Sequence, residues 1–202
     1  MSVGAVPQPP KPSPRSGFYR LSVAQFRRMI QTGILSEDDR IELLEGHLVP
    51  KMPPNPPHSS TVGRVTRRII RVLPDTWQYR SEQPITLADS EPQPDICLAR
   101  GNAGAYDHRH PTPADIGLVG EVADSSLDDD RDWKGRIYAR ANLPVYWIVN
   151  VVDRQVEVYT DPRPADPVPS YATRTDYKAG DSVPLVLDGQ TVARLPVDDL
   201  LG

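Results

Sequence analysis

Two acidic residues of this chain lie inside apolar runs, where a carboxylate is expensive to bury. Asp95 opens the run Asp-Ile-Cys-Leu-Ala, and Glu121 stands within Gly-Leu-Val-Gly-Glu-Val-Ala. Short apolar runs of this kind are typical of buried strands. A buried carboxylate destabilises the fold unless it is paired or binds a cation. Two of them, on strands that could lie side by side, therefore suggest a divalent-metal site.

A lysine follows the second acidic run at a distance that suits the same site. Lys134 lies in a predicted helix over residues 130–141, directly after the Glu121 strand, and shares a helix face with Tyr138 four residues later. Magnesium takes hard oxygen ligands and several waters. We expect Asp95 and Glu121 to ligate Mg²⁺ or Mn²⁺. Lys134 would then stabilise the charge that develops on a reacting phosphate.

The same acidic pattern also has a purely structural explanation. A single buried Asp or Glu in a strand is commonly a salt-bridged residue, and the spacing of Asp95 and Glu121 alone is equally compatible with both roles. Glu42, taken by itself, is predicted to be a hairpin residue on a solvated face.

Helices and strands alternate along the predicted chain. A capping box at Ser22–Gln25 opens a helix whose core-facing residues would include Phe26 and Ile30, and Glu45-Gly46 is typical of a tight hairpin turn. Further helices are predicted at 58–73 and 130–141, with strands at 77–82, 85–87, 95–99, 117–123, 143–151, 155–160, 171–177 and 183–187 and a short C-terminal end at 191–200. This order predicts a mixed α/β (α+β) domain with one central sheet.

Composition sets the limits on domain number and partners. The 202 residues predict one domain over residues 16–202 behind a proline-rich, disordered tail over residues 1–15. A net charge of −4 argues against a broadly basic surface, so nucleic acid would have to bind a local patch. The single cysteine fits a reducing cytoplasm, and no apolar stretch approaches the roughly 18 residues that a membrane span needs.

Four basic residues are candidates for contacts with the nucleic-acid backbone. His58 begins a predicted helix, Arg64 and Arg68 lie on the polar face of that helix, and Arg109 belongs to the loop between the two acidic strands. Such side chains can bind phosphate. The alternatives are a capping histidine and arginines that are simply solvated.

A wider set of motifs surrounds these residues and resembles the Uma-type putative endonuclease family, a large bacterial family of the PD-(D/E)XK nuclease superfamily. The resemblance extends from about Leu21 to Leu200. It is carried by Glu82-Gln-Pro-Ile-Thr-Leu, Glu91-Pro-Gln-Pro-Asp-Ile, Gly120-Glu-Val-Ala-Asp-Ser-Ser-Leu, Lys134-Gly-Arg-Ile-Tyr-Ala-Arg-Ala and Pro144-Val-Tyr-Trp-Ile-Val-Asn.

The resemblance implies a restriction-endonuclease-like core, a mixed central sheet flanked by helices, with a divalent metal at the active site. It places the first-motif acid on Glu42, the Pro-Asp motif on Asp95 and the third acid on Glu121. The superfamily's lysine position, two residues after Glu121, is Ala123 here. The family is similar in lacking that lysine and in carrying one on the following helix, which matches Lys134.

The predicted function is a Mg²⁺-dependent endonuclease that hydrolyses phosphodiester bonds, with DNA as the expected partner and Glu42, Asp95, Glu121 and Lys134 as its catalytic set. The resemblance also implies a homodimer. The alternative is a catalytically inactive nucleic-acid-binding or protein-interaction module on the same fold, which Ala123 and the acidic net charge favour.

Overall fold

The computed structural model describes residues 19–202, so the predicted tail over residues 1–15 lies outside the described residues. Its helices are α1 (Val23–Gln31), α2 (Pro56–Ile70), α3 (Leu127–Asp129), α4 (Gly135–Arg140) and α5 (Val197–Leu201), and a π-helical turn (Asp130–Lys134) joins α3 to α4. Its strands are β1 (Ile41–Leu44), β2 (His47–Pro50), β3 (Trp77–Arg80), β4 (Ile96–Arg100), β5 (Ile116–Ala123), β6 (Val145–Asn150), β7 (Gln155–Arg163), β8 (Ser170–Lys178), β9 (Ser182–Leu187) and β10 (Gln190–Pro196).

A six-stranded mixed sheet in the order β3-β4-β5-β6-β7-β8 forms the centre of the fold. All neighbouring pairs are antiparallel except β5 and β6, which are parallel. Parallel neighbours need a crossover connection, and the α3–α4 segment supplies it. The prediction of a mixed domain with one central sheet is confirmed.

Helices cover both faces of the middle of this sheet, which explains why β4, β5 and β6 are almost continuous apolar runs. Successive residues of β6 point to opposite faces. Trp147 packs in the cluster that contains Val65 and Ile69 of α2, whereas Tyr146 packs with Tyr138 of α4. Asp95 directly precedes β4 and Glu121 lies within β5, and both of these strands are buried on both sides.

The β1–β2 hairpin lies beside this sheet and carries Glu42 to the site. Glu45 and Gly46 form its turn with φ of 47° and 78°. Positive φ at both central residues is the requirement of the tight two-residue turn that the sequence indicates, so this prediction is confirmed.

Three local predictions were wrong. Residues 85–87 do not form a strand, because the amide of Leu87 bonds the carbonyl of Ser90 in a tight turn while Ile85 and Leu87 are buried. The helix predicted from His58 begins at Pro56, since the Asn55 side chain accepts a hydrogen bond from the His58 amide and caps it earlier. Ile30 is 45% exposed and does not belong to the core.

Candidate active site

Strands β4 and β5 bring Asp95 and Glu121 together in one cavity. Ile96 pairs with Gly120 in antiparallel register, so Asp95, one residue earlier, lies beside Glu121, one residue later. The cavity has a volume of about 250 Å³. It is lined by seven carboxylate residues and two lysines: Glu42, Glu82, Asp95, Glu121, Asp124, Asp129, Asp130, Lys51 and Lys134.

Asp95 is held in one orientation by two donors to the same oxygen. The Val122 amide donates to Asp95 Oδ2 at 2.8 Å, and His58 Nε2 donates to the same oxygen at 3.0 Å. Burial opposes ionisation, but the hydrogen bond and the charge of His58 lower the pKa of Asp95 below its usual value. The structure therefore places His58, predicted to contact nucleic acid, against an acidic residue of the site.

Glu121 has fewer compensating partners. The Tyr138 hydroxyl donates to Glu121 Oε1 at 2.6 Å, and Lys134 Nζ lies 3.1 Å from the same oxygen. Burial raises the pKa of Glu121 to about 8 even though the charge of Lys134 opposes the shift. Its ionised form is therefore the costly one, and an additional cation beside it would favour ionisation.

The Lys134 ammonium lies within ion-pairing distance of three carboxylates. Its Nζ lies 3.1 Å from Glu121, 3.8 Å from Glu42 and 3.8 Å from Asp130. Burial would lower the pKa of this amine, but the surrounding carboxylates raise it, so Lys134 is charged. The four predicted catalytic residues thus share one cavity.

The π-helical turn decides where Lys134 points. Within it the Gly135 amide reaches back five residues to the Asp130 carbonyl, which also accepts the Tyr146 hydroxyl at 3.0 Å. Such wide turns are rare and recur at functional sites. Sequence reasoning missed this turn and predicted one regular helix, because nothing in Asp-Arg-Asp-Trp-Lys distinguishes the two.

Glu42 is only 3% exposed, so its predicted position on a solvated face was wrong. The segment before Asp95 runs beside β1, where Leu43 pairs with Glu91. The Gln93 amide donates to Glu42 Oε2 at 3.1 Å. This long-range packing buries a carboxylate that local periodicity would leave in water.

The predicted nucleic-acid-binding arginines lie away from this cavity. Arg64 donates to the carbonyls of Leu200 and Leu201 at 3.2 and 2.8 Å, and Arg68 pairs with Asp199 at 3.0 Å. Both therefore anchor the C-terminal helix α5.

Arg109 also has a protein partner, since it forms two hydrogen bonds to the Asp115 carboxylate at 2.6 and 3.0 Å. It lines a second cavity of about 440 Å³. The structure thus does not bring Arg64, Arg68 or Arg109 into the acidic cavity.

Among the residues in and around the cavity that were not predicted site residues, three contact the predicted set or its immediate neighbours. Tyr138 binds Glu121, Asp130 faces Lys134, and Lys51 Nζ donates to the Gln93 carbonyl at 2.8 Å. Tyr138 had a sequence signal, its shared helix face with Lys134, and Asp130 belongs to the acidic segment that follows Glu121 and begins the predicted helix. Lys51 follows a hairpin strand directly, and no local pattern relates it to Asp95.

Whether the cavity can bind a metal ion depends on which carboxylate oxygens accept no hydrogen bond. Within residues 19–202, no group of three or more histidine, cysteine, aspartate or glutamate side chains is arranged to hold a metal ion. In the same part of the chain, neither Asp95 Oδ1 nor Glu121 Oε2 accepts a hydrogen bond. Magnesium is commonly bound by one or two carboxylates together with water and substrate oxygens, so this donor pair fits it.

The central mixed six-stranded sheet with its flanking helices is a nuclease-like fold. A crystal structure of a putative nuclease belonging to DUF820 from Anabaena variabilis is similar, with a TM-score of 0.66 and 15% sequence identity. The match covers 90% of this chain and 97% of that chain.

The family model Uma2, described as "Putative restriction endonuclease", matches residues 23–197. The chain therefore belongs to this family, as its motifs predict. No curated protein matches the sequence. Among the described residues, no helix is long and apolar enough to cross a membrane.

Proposed function

We propose that this protein is a Mg²⁺- or Mn²⁺-dependent endonuclease that hydrolyses phosphodiester bonds in DNA. The observation that carries the proposal is the juxtaposition of Asp95 and Glu121, each with one carboxylate oxygen free of hydrogen bonds among the described residues. Membership of a family described as restriction endonucleases supports the same reaction class.

The charge balance of the cavity also favours a cation. Seven carboxylate residues line it against two lysines, so a polyanionic strand would be repelled from the cavity as it stands. Asp95 and Glu121 would hold the divalent cation. When bound, such a cation lowers the pKa of a water ligand and polarises a phosphoryl oxygen.

The protein's own residues have distinct parts in this reaction. His58 and the Val122 amide fix the orientation of Asp95, and Tyr138 fixes that of Glu121. Lys134 offers a positive charge to the negative charge that builds up on the phosphoryl oxygens.

Glu42 has a positioning role toward this lysine. One of its carboxylate oxygens lies 3.8 Å from Lys134 Nζ. Because the Gln93 amide fixes Glu42 in turn, the ammonium has little freedom to leave the cavity.

The test is cleavage of plasmid and oligonucleotide DNA with Mg²⁺ or Mn²⁺. We expect cleavage by the wild type and by Asp188→Asn, whose carboxylate pairs with Arg100 on the surface. Chelation with EDTA, Asp95→Asn and Glu121→Gln should each abolish it. Equal cleavage by all four proteins would overturn the proposal.

A second candidate function is a nucleic-acid-binding module without turnover. It is favoured by the raised pKa of Glu121, about 8, because a neutral carboxyl group is a poor cation ligand. A Mn²⁺ titration followed by electron paramagnetic resonance separates the two candidates. The module is supported if the protein binds DNA but shows no Mn²⁺ binding that is lost in Asp95→Asn.

A homodimer and a cytoplasmic location stay predictions of the sequence.

A further inference from the structure

The two lysines of the cavity, Lys51 and Lys134, differ in how far nearby carboxylates balance their positive charge. Lys134 stands among the carboxylates of Glu42, Glu121 and Asp130 at 3.1 to 3.8 Å. Lys51 lies 3.9 Å from the half-exposed carboxylate of Glu82 and donates to the neutral Gln93 carbonyl. The charge of Lys51 is therefore the less compensated of the two.

Lys51 is held in place by a rigid peptide. Gln93 stands between Pro92 and Pro94, and a residue before proline is confined to extended conformations. The Gln93 carbonyl accepts from Lys51 Nζ at 2.8 Å, while its amide donates to Glu42 at 3.1 Å. The backbone of one residue, Gln93, thus positions an ammonium and a catalytic-set carboxylate relative to each other.

Lys51 lies in the same cavity as the proposed cation ligands, Asp95 and Glu121. Its positive charge adds to the lowering of the Asp95 pKa and opposes the rise that burial causes in the pKa of Glu121. An ammonium has three N–H donors, and the Gln93 carbonyl takes one of them. Within residues 19–202, the other two have no hydrogen-bond acceptor.

We propose that Lys51 binds a phosphate oxygen of the DNA strand that enters the cavity, as a further catalytic residue of the proposed nuclease. The proposal rests on that proposed function. Hydrogen bonds from an ammonium to an anionic oxygen are about twice as strong as neutral ones, so phosphate would add to or replace the present contacts.

The experiment measures DNA binding and cleavage by Lys51→Met, Lys51→Arg and a matched control, Lys178→Met, whose lysine lies exposed on β8. Binding of a short fluorescent DNA duplex is followed by anisotropy across a salt series, with Ca²⁺ in place of Mg²⁺ so that the acidic cavity holds a cation while no cleavage occurs. Losing one phosphate contact should lower the slope of log K against log salt by about 0.9. Lys51→Arg should restore the slope, and Lys178→Met should leave it unchanged.

Cleavage by the single variants gives the second measurement, with melting temperatures confirming that each protein is folded. We expect Lys51→Met to cleave about 10- to 100-fold more slowly than the wild type. An unchanged salt slope in Lys51→Met overturns the inference, even if the wild type cleaves DNA. Binding that depends on Lys51 without any wild-type cleavage overturns the nuclease proposal and leaves the phosphate contact standing. A wild type that binds no DNA overturns both.

Discussion

Two buried glutamates lie in one row across the central sheet, yet they differ in the number of hydrogen-bond donors and positive charges around them. Ile148 of β6 pairs with Glu121 of β5 on one side and with Glu157 of β7 on the other. The exposed fraction is 2% for Glu121 and 0% for Glu157. Burial alone therefore does not distinguish them, and the difference comes from their partners.

Glu157 is surrounded by donors. Arg131 donates to both of its carboxylate oxygens at 3.1 and 2.5 Å, and Asn150 and Tyr159 add hydrogen bonds at 2.8 and 2.7 Å. Burial opposes ionisation, but these hydrogen bonds lower the pKa of Glu157 to about 2. This carboxylate is satisfied by the fold itself.

Glu121 shares a single ammonium with two other acids, and burial raises its pKa to about 8. A buried acid that the fold leaves short of positive charge is a candidate for binding a cation or a substrate. The comparison thus separates a structural acid from a functional one on the same sheet.

The largest predicted effect is on catalysis at Glu121. Glu121→Gln should reduce DNA cleavage by about 1,000-fold or more, because it removes a cation ligand and the charge next to the reacting phosphate. Its free energy of unfolding should be unchanged or higher, since a buried amide costs less than a buried carboxylate. Cleavage rates and urea denaturation check this. A variant that is strongly destabilised would show that Glu121 is a structural acid like Glu157.

Glu157→Gln should lower the stability of the protein and leave its cleavage activity nearly unchanged. It leaves the guanidinium groups of Arg131 and Arg174 without their shared carboxylate, and we expect a loss of about 3 kcal/mol in the free energy of unfolding. Cleavage per folded molecule should stay close to that of the wild type. Urea denaturation and an active-fraction measurement test this, and an equally stable variant would contradict it.

Glu157 and Glu121 should also affect the pH dependence of the free energy of unfolding in opposite directions. Because the pKa of Glu157 falls from an ordinary 4.5 to about 2 on folding, its stabilisation is complete above pH 4.5 and is lost as the pH falls toward 2. Between pH 5 and pH 3 the loss should be about 2 kcal/mol.

Glu121 gives the opposite sign in metal-free protein, because its pKa rises from 4.5 to about 8 on folding. Stability should be highest below pH 4.5 and fall as the pH rises through 8. Urea denaturation across pH, with Glu157→Gln and Glu121→Gln as matched controls, should remove the acid and the alkaline slope respectively. An acid slope that survives in Glu157→Gln would assign it to another carboxylate.

The smallest effect should come from the outer arginine of the Glu157 cluster. Arg174 lies 3.3 Å from Glu157, pairs also with Asp176 and is partly exposed. Arg174→Met should cost about 1 kcal/mol of unfolding free energy, less than Arg131→Met, because water screens a partly exposed pair. Thermal denaturation of the two variants ranks them, and the reverse order would contradict the assignment of Arg131 as the main partner.

Much of the architecture was predictable because it follows from local patterns. The capping box at Ser22–Gln25, the Glu45-Gly46 turn and the apolar strand around Glu121 all appear where the sequence indicates them. Each depends on residues close together in the chain, whose conformational preferences act without help from distant segments.

The partners of the charged residues were less predictable. Arg64 reaches carbonyls more than 130 residues away, at Leu200 and Leu201, and Glu42 is covered by the segment around Gln93. Periodicity indicates which side of a helix or strand is polar, but not what packs against that side. Arg64 and Arg68 were therefore placed correctly on their helix, but they lie away from the cavity.

The sequence by itself determined that two acids would be buried in strands and that a lysine would follow them on a helix. Tertiary structure alone decided that Glu121 shares Lys134 with two other carboxylates, that a π-helical turn aims this lysine, and that Lys51 enters the same cavity. The physical reason is that burying a charge depends on local hydrophobicity, whereas neutralising it depends on which distant groups come within a few ångströms.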